Sequence, residues 1–212
     1  AVLAARVFDH VRLERMAATD SMPVINLLSD VSHPMQALAD LLTIEQEIGL
    51  SEVKRVAYVG DANNVWRSLA IGCSMLGVDT AVASPLDHAP SEADIDRVRA
   101  AGGSLLVTDD PLEAVQDADV VYTDVWTSMG QESEKFERLD AFEQFRVDAA
   151  LMSVASERSI FMHCLPAHRG EEVTHEVIES GQSKVFPQAH NRMHSARGML
   201  AWLMREGIND DQ

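Results

Sequence analysis

Basic residues are scarce in this sequence. Lys and Arg number 17 against 34 Asp and Glu, for a formal net charge of -17. So acidic a surface repels phosphate backbones, which argues against nucleic acid as a partner. It is compatible with a cationic substrate, although most of the acids are expected simply to form a solvated surface. An anionic ligand would then need a local cluster of Arg, His and backbone N–H groups. Cysteine is scarce too. Cys73 and Cys164 lie far apart in the 212 residues and make no disulfide framework, which fits a reducing, cytoplasmic setting. No apolar run is long enough to span a bilayer, so no membrane partner is expected. The opening, Ala1 to Phe8, lacks the basic flank and cleavage pattern of a secretory leader. Repeats, low-complexity tracts and long linkers are also missing. What remains is 46% hydrophobic residues, enough for a core, in a length that suits one large domain or one domain and part of another.

The pattern from Val53 onward alternates strands with helices. Strands are predicted at Val56–Val59, Asp79–Ala83, Ser104–Thr108 and Val120–Thr123, at Ser159–Met162 and, briefly, at Lys184–Phe186. Helices are expected over Val65–Leu76, Ser91–Ala101, Pro111–Asp117, Glu134–Gln144, Asp148–Ala155 and Glu172–Glu179. Such alternation implies an α/β fold, a parallel sheet with helices on both faces. Before it come a strand at Ala1–Phe8, a short helix at His10–Ala18 and a second strand at Pro23–Leu27. An apolar strand that opens a chain calls for neighbours on both sides, so this part reads as the tail of another domain. A helix follows, with Ser32 as its cap and Gly49 as its stop. The last helix, Gln188–Arg205, repeats Met193, Ala196, Leu200, Leu203 and Met204 on one face and has no strand after it.

Chemistry gathers at the ends of these elements. The Ser159–Met162 strand runs into His163-Cys164-Leu165-Pro166-Ala167-His168-Arg169-Gly170, and ligands of open parallel sheets sit beyond the carboxyl ends of the strands. A Cys–His nucleophile is possible there, but no third, orienting group is visible. His163, Cys164 and His168 match no standard zinc spacing, so no metal is expected. His33-Pro34-Met35-Gln36 opens a helix, a place suited to an anion or a polarised carbonyl; an ordinary capped helix with a surface His would read the same way. Gly60-Asp61-Ala62-Asn63-Asn64 stands where a dinucleotide fold would carry G-x-G-x-x-G and lacks the later glycines. A nicotinamide oxidoreductase is therefore the alternative reading. Asp124 could take a cationic amine, and Ser128-Met129-Gly130 a carboxylate.

Taken together these clusters resemble the ornithine carbamoyltransferases. His33-Pro34-Met35-Gln36 is similar to the family's H-P-x-Q carbamoyl-phosphate motif. Asp124 with Ser128-Met129-Gly130 is similar to its D-x-x-x-S-M-G ornithine loop, and His163-Cys164-Leu165-Pro166 to its H-C-L-P motif. Asn191-Arg192 resembles the family's late arginine. The likeness runs from Ala1 to about Leu203. Aspartate carbamoyltransferases carry H-P-L-P where Cys164 stands, and the putrescine enzymes differ at S-M-G, so the combination points to ornithine. Two departures stand out: the family's S-x-R-T-R phosphate loop does not occur in these residues, and His190 replaces an acidic residue before Asn191.

The resemblance implies a Rossmann-like ornithine domain at residues 49–187, the C-terminal part of a carbamoyl-phosphate domain at 1–48, and a helix over 188–212 that returns to the first domain. It implies transfer of a carbamoyl group from carbamoyl phosphate to L-ornithine, with no cofactor, by a homotrimer when intact. Arg6, His33, Pro34, Met35, Gln36, Cys164, Leu165 and Arg192 would bind carbamoyl phosphate. Asn64, Asp124, Ser128 and Met129 would bind ornithine. Cys164, as a thiolate, and Asp124 would sit by the reacting amine, and His33, Arg192 and Cys164 by the carbonyl oxygen. The missing phosphate loop leaves open a non-catalytic, amino-acid-binding fragment.

Overall fold

The computed structural model describes residues 1–127 and 132–209. Its first elements are β1 (Leu3–Arg6), α1 (Val11–Ala17) and β2 (Val24–Leu28), and the two strands pair in parallel. Next comes α2 (Pro34–Glu47). Pro34 sits in its first turn, where a missing N–H costs nothing. Ser32 does not cap this helix. Its hydroxyl instead accepts from Asn26 Nδ2 at 2.9 Å, and the His33 N–H donates to Ser68 Oγ at 2.8 Å.

A second, five-stranded sheet follows, all parallel, in the order β5-β4-β3-β6-β7. Its strands are β3 (Arg55–Val59), β4 (Asp79–Ala83), β5 (Leu105–Thr108), β6 (Val120–Thr123) and β7 (Ile160–His163). The connecting helices are α3 (Asn64–Met75), α4 (Glu92–Ala100), α5 (Pro111–Val115), α6 (Lys135–Phe142), α7 (Ala149–Met152) and α8 (His175–Ile178). Successive side chains of a strand point to opposite faces. Accordingly Val56 and Tyr58 of β3 join one apolar cluster with Trp66, Leu69 and Met162, while Ala57 and Val59 join another with Trp126, Phe142 and Phe161. Both faces of the sheet are thus covered, as continuous apolar strands require.

The expected strand at Lys184–Phe186 is not formed. Only Ser183 bridges to Phe161, and Val185 already begins α9 (Val185–Asn209). Pro187 lies in its first turn, where a helix tolerates proline. The helix expected over Glu172–Glu179 shrinks to the four residues of α8, because Val173 is drawn into bridges with Val147 and Arg169. α9 runs back along α2. Among the described residues no helix is long and apolar enough to cross a membrane.

Candidate active site

The sheet order places the site. From β3 the chain winds outward through β4 to β5; from β6 it winds the other way to β7. Between the carboxyl ends of β3 and β6 lies the switch point where open sheets form a crevice. Gly60 ends β3 there with φ 136°, a conformation that disfavours any side chain, and a Cβ would stand 3.4 Å from Thr123 Oγ1. Asp124 follows β6 and Cys164 follows β7. Facing them are the end of β1, with Arg6, and the start of α2, with His33. The space between is a cavity of about 670 Å³ lined by Arg6, His33, Asn64, Asp124, Cys164 and Leu165 from the expected set. Phe8, Ser29, Asp30, Asp61, Asn63, Arg67, Thr127 and His168 also line it. Pro34, Met35, Gln36 and Arg192 are not among the residues that line it, although the Arg192 charge acts on His33. Ser128 and Met129 fall outside the described residues.

One wall is acidic. Asp124 Oδ1 accepts the Cys164 thiol at 3.0 Å and the Val125 N–H at 2.8 Å, and Oδ2 accepts Asn63 Nδ2 at 3.0 Å. Burial and the neighbouring Asp124 charge push the Cys164 pKa well above its ordinary value. The residue is therefore a thiol that donates, which corrects the expectation of a thiolate. Cys73, buried in α3, is pushed up to about 12 by burial. Asp61 is held by Arg138, which also donates to the Trp126 carbonyl.

The other wall is basic. His33 is held neutral, its pKa lowered to about 4 by burial and by the charges of Arg192 and Arg6. His33 Nδ1 and Arg192 Nη1 are buried without a hydrogen-bond partner among the described residues. Arg67, by contrast, is committed: it holds Asp94 at 2.6 and 2.8 Å and the Val31 carbonyl at 2.5 Å.

Three local arrangements go beyond the sequence reading. Asn63 is the amide on Asp124, while Asn64, expected to bind the amino acid, donates its Nδ2 to the Ser29 carbonyl at 2.7 Å. Asn63 Oδ1 also accepts the Val65 and Trp66 N–H groups, so the α3 N-terminus that would hold a dinucleotide's pyrophosphate is already capped by its own side chain. That argues against the nicotinamide reading. Lastly, His163 does have an orienting group. The Leu165 N–H donates to its Nδ1 at 2.9 Å, so Nε2 carries the proton and donates to buried Glu172 at 3.1 Å. With both nitrogens used, His163 holds the Leu165–Pro166 turn and is not free to act as a base toward Cys164. Asp124, His163 and Cys164 offer ligand atoms within 4.8 Å of one another, but each is engaged in these hydrogen bonds. Glu172 gave no sequence signal, since its partner is set by the fold rather than by a motif.

The family model for the carbamoyl-P binding domain of aspartate/ornithine carbamoyltransferases matches residues 1–46, and that for the Asp/Orn binding domain matches residues 52–203. The chain belongs to the aspartate/ornithine carbamoyltransferase family. It is 50% identical to ornithine carbamoyltransferase of Bacillus subtilis over 207 residues, 95% of this chain and 65% of that protein. It is 50% identical to the anabolic ornithine carbamoyltransferase of Pyrococcus furiosus, over 94% and 65%. The solved structure of ornithine carbamoyltransferase from Pyrococcus furiosus superposes with a TM-score of 0.89 at 49% identity, over 94% of this chain and 65% of that one. The chain thus spans about two thirds of the length of these carbamoyltransferases.

Proposed function

We propose that these residues belong to an ornithine carbamoyltransferase, which joins carbamoyl phosphate and L-ornithine to give L-citrulline and phosphate. The observation that carries this reading is the pairing of two opposite walls across one cavity: Arg6 and neutral His33 on one side, Asp124 with the Cys164 thiol on the other. A dianion suits the first and an ammonium the second. The names of the relatives support the same reading.

In the proposed reaction, the δ-ammonium of ornithine loses a proton to the Asp124 carboxylate. The free amine then attacks the carbamoyl carbon, the C–O bond to phosphate breaks, and the second proton on the attacking nitrogen leaves with the phosphate. Negative charge that builds on the carbonyl oxygen is met by His33 as a neutral donor, with Arg192 behind it. Arg6 holds phosphate, Gln36 and the Leu165 carbonyl orient the carbamoyl NH₂, and Asn64, Ser128 and Met129 grip the amino-acid end. Residues 1–48, 49–187 and 188–212 serve as carbamoyl-phosphate part, ornithine domain and returning helix, in a cytoplasmic homotrimer.

The test is a citrulline assay on the full product of the gene that encodes these residues. Citrulline with L-ornithine, and no product with L-aspartate or putrescine, is the expected result. Carbamoylation of aspartate, or none at all, would contradict the reading. The 212 residues alone, without an S-x-R-T-R loop, are expected to bind carbamoyl phosphate orders of magnitude more weakly, since each charge-assisted hydrogen bond lost is worth about 1.5–3 kcal/mol.

A further inference from the structure

Behind the cavity lies a buried carboxylate that none of these roles uses. Asp40 sits one turn after Gln36 on α2 and is fully enclosed. Gln36 Nε2 donates to Asp40 Oδ1 at 2.7 Å, and Gln188 Nε2 of α9 donates to the same oxygen at 2.7 Å. The Tyr122 hydroxyl donates to the other oxygen, Oδ2, at 3.2 Å. Gln188 Oε1 in turn accepts the backbone N–H of His163 at 2.9 Å.

The directions of these bonds follow from one fixed group. A backbone N–H can only donate. His163 N–H therefore forces Gln188 to present its carbonyl to β7 and its NH₂ to Asp40. Asp40 Oδ1 must accept, so Gln36 must turn its NH₂ to it as well. The Gln36 carbonyl oxygen is left as the free end of that amide: among the described residues the side chain's hydrogen bond is the one its NH₂ donates to Asp40. Burial raises Asp40 to about 7 against the pull of Gln36, Gln188, Tyr122 and the Arg192 charge; its other ionisable neighbours are Cys73 and Cys164. A proton taken up near neutrality has its place on Oδ2, beside the Tyr122 oxygen, so Oδ1 stays an acceptor in either state.

We infer that Asp40 is a positioning residue: it fixes the Gln36 amide with its carbonyl free, so that the site selects a ligand NH₂ over a methyl group of the same size. The inference rests on the carbamoyl-transfer reading, which puts that NH₂ at Gln36. It also ties the H-P-x-Q helix to the end of β7, just before Cys164, through Gln188.

The experiment measures inhibition of the full gene product by phosphonoacetamide and by its methyl ketone counterpart, 2-oxopropylphosphonate. The unaltered enzyme should prefer the carboxamide at least about tenfold, because a site that hydrogen-bonds an NH₂ rejects the analogue lacking it. Asp40→Ala should erase most of that preference. Asp40→Asn, whose Oδ1 can still accept from both glutamines, should keep it; a purely structural role would not separate the two in this way. Should Asp40→Ala not fold, neutron diffraction from the deuterated, unaltered protein decides, by showing whether the Gln36 deuterons point to Asp40. A preference retained in Asp40→Ala, or a Gln36 carbonyl turned toward Asp40, overturns the inference while leaving carbamoyl transfer intact. Citrulline formation with no carboxamide preference does the same. Absence of citrulline together with absence of preference would instead bring down the carbamoyl-transfer reading and this inference with it.

Discussion

The two walls of the cavity differ in how their charge is held. On the acidic wall every carboxylate oxygen of Asp124 already accepts a hydrogen bond, and Asp61 is paired with Arg138. On the basic wall, among the described residues, neither Arg6 nor Arg192 pairs with a carboxylate, and His33 is kept neutral by burial and by their charge. The acidic wall is a finished hydrogen-bonded structure that a cation can join. The basic wall stores uncompensated charge, which an anion would neutralise. Preorganised charge of this kind does its work when the complementary charge arrives, with little rearrangement.

The largest effect that sharpens the contrast is expected at Asp124. Asp124→Asn keeps the shape of the acidic wall and removes its charge. Citrulline formation by the full gene product should fall roughly 10²–10⁴-fold, the range for loss of a group that handles a proton. A fall of less than about threefold would make Asp124 a bystander.

A smaller effect is expected at the thiol. With its pKa raised by burial and by Asp124, Cys164 should alkylate slowly near neutral pH, and Cys73 not at all. Asp124→Asn removes the anion and should speed Cys164 labelling several-fold. Fast labelling of the unaltered protein would mean that the thiolate is already present.

The smallest effect concerns pH. Asp40 has a folded pKa of about 7 against an ordinary 3.8. Between those values the folded state binds more protons, so this group makes stability fall as pH rises, until the slope ends above the folded pKa. Asp40→Asn removes that slope. Relative to the unaltered protein, its melting temperature should therefore climb from about pH 5 to about pH 8. A difference that is flat with pH would show that Asp40 does not titrate there.

Much of the fold was legible because strand and helix periods differ. The β4 and β6 spans agree residue for residue with their apolar runs, and Asn63 and Asp124 fall at strand ends, as the alternation implies. The failures have local causes. Lys184-Val185-Phe186 reads as a short strand, yet Val185-Phe186-Pro187 also suit the first turn of a helix, and they open α9, which packs on α2. Candidate residues that belong to motifs were visible; two that hold the motifs in place were not. Glu172 under His163 and Gln188 between Asp40 and His163 are each ordinary polar residues in sequence. Their roles depend on contacts across 9 and 148 positions, which periodicity does not report.

The claim that each wall serves one substrate is tested most directly by calorimetry on the full gene product, with L-ornithine and phosphonoacetamide titrated separately. Asp124→Asn should weaken ornithine at least about tenfold and leave phosphonoacetamide within about twofold; Arg6→Met should do the reverse, each substitution costing one charge-assisted contact. Equal weakening of both ligands by both substitutions would contradict the assignment of one wall to each.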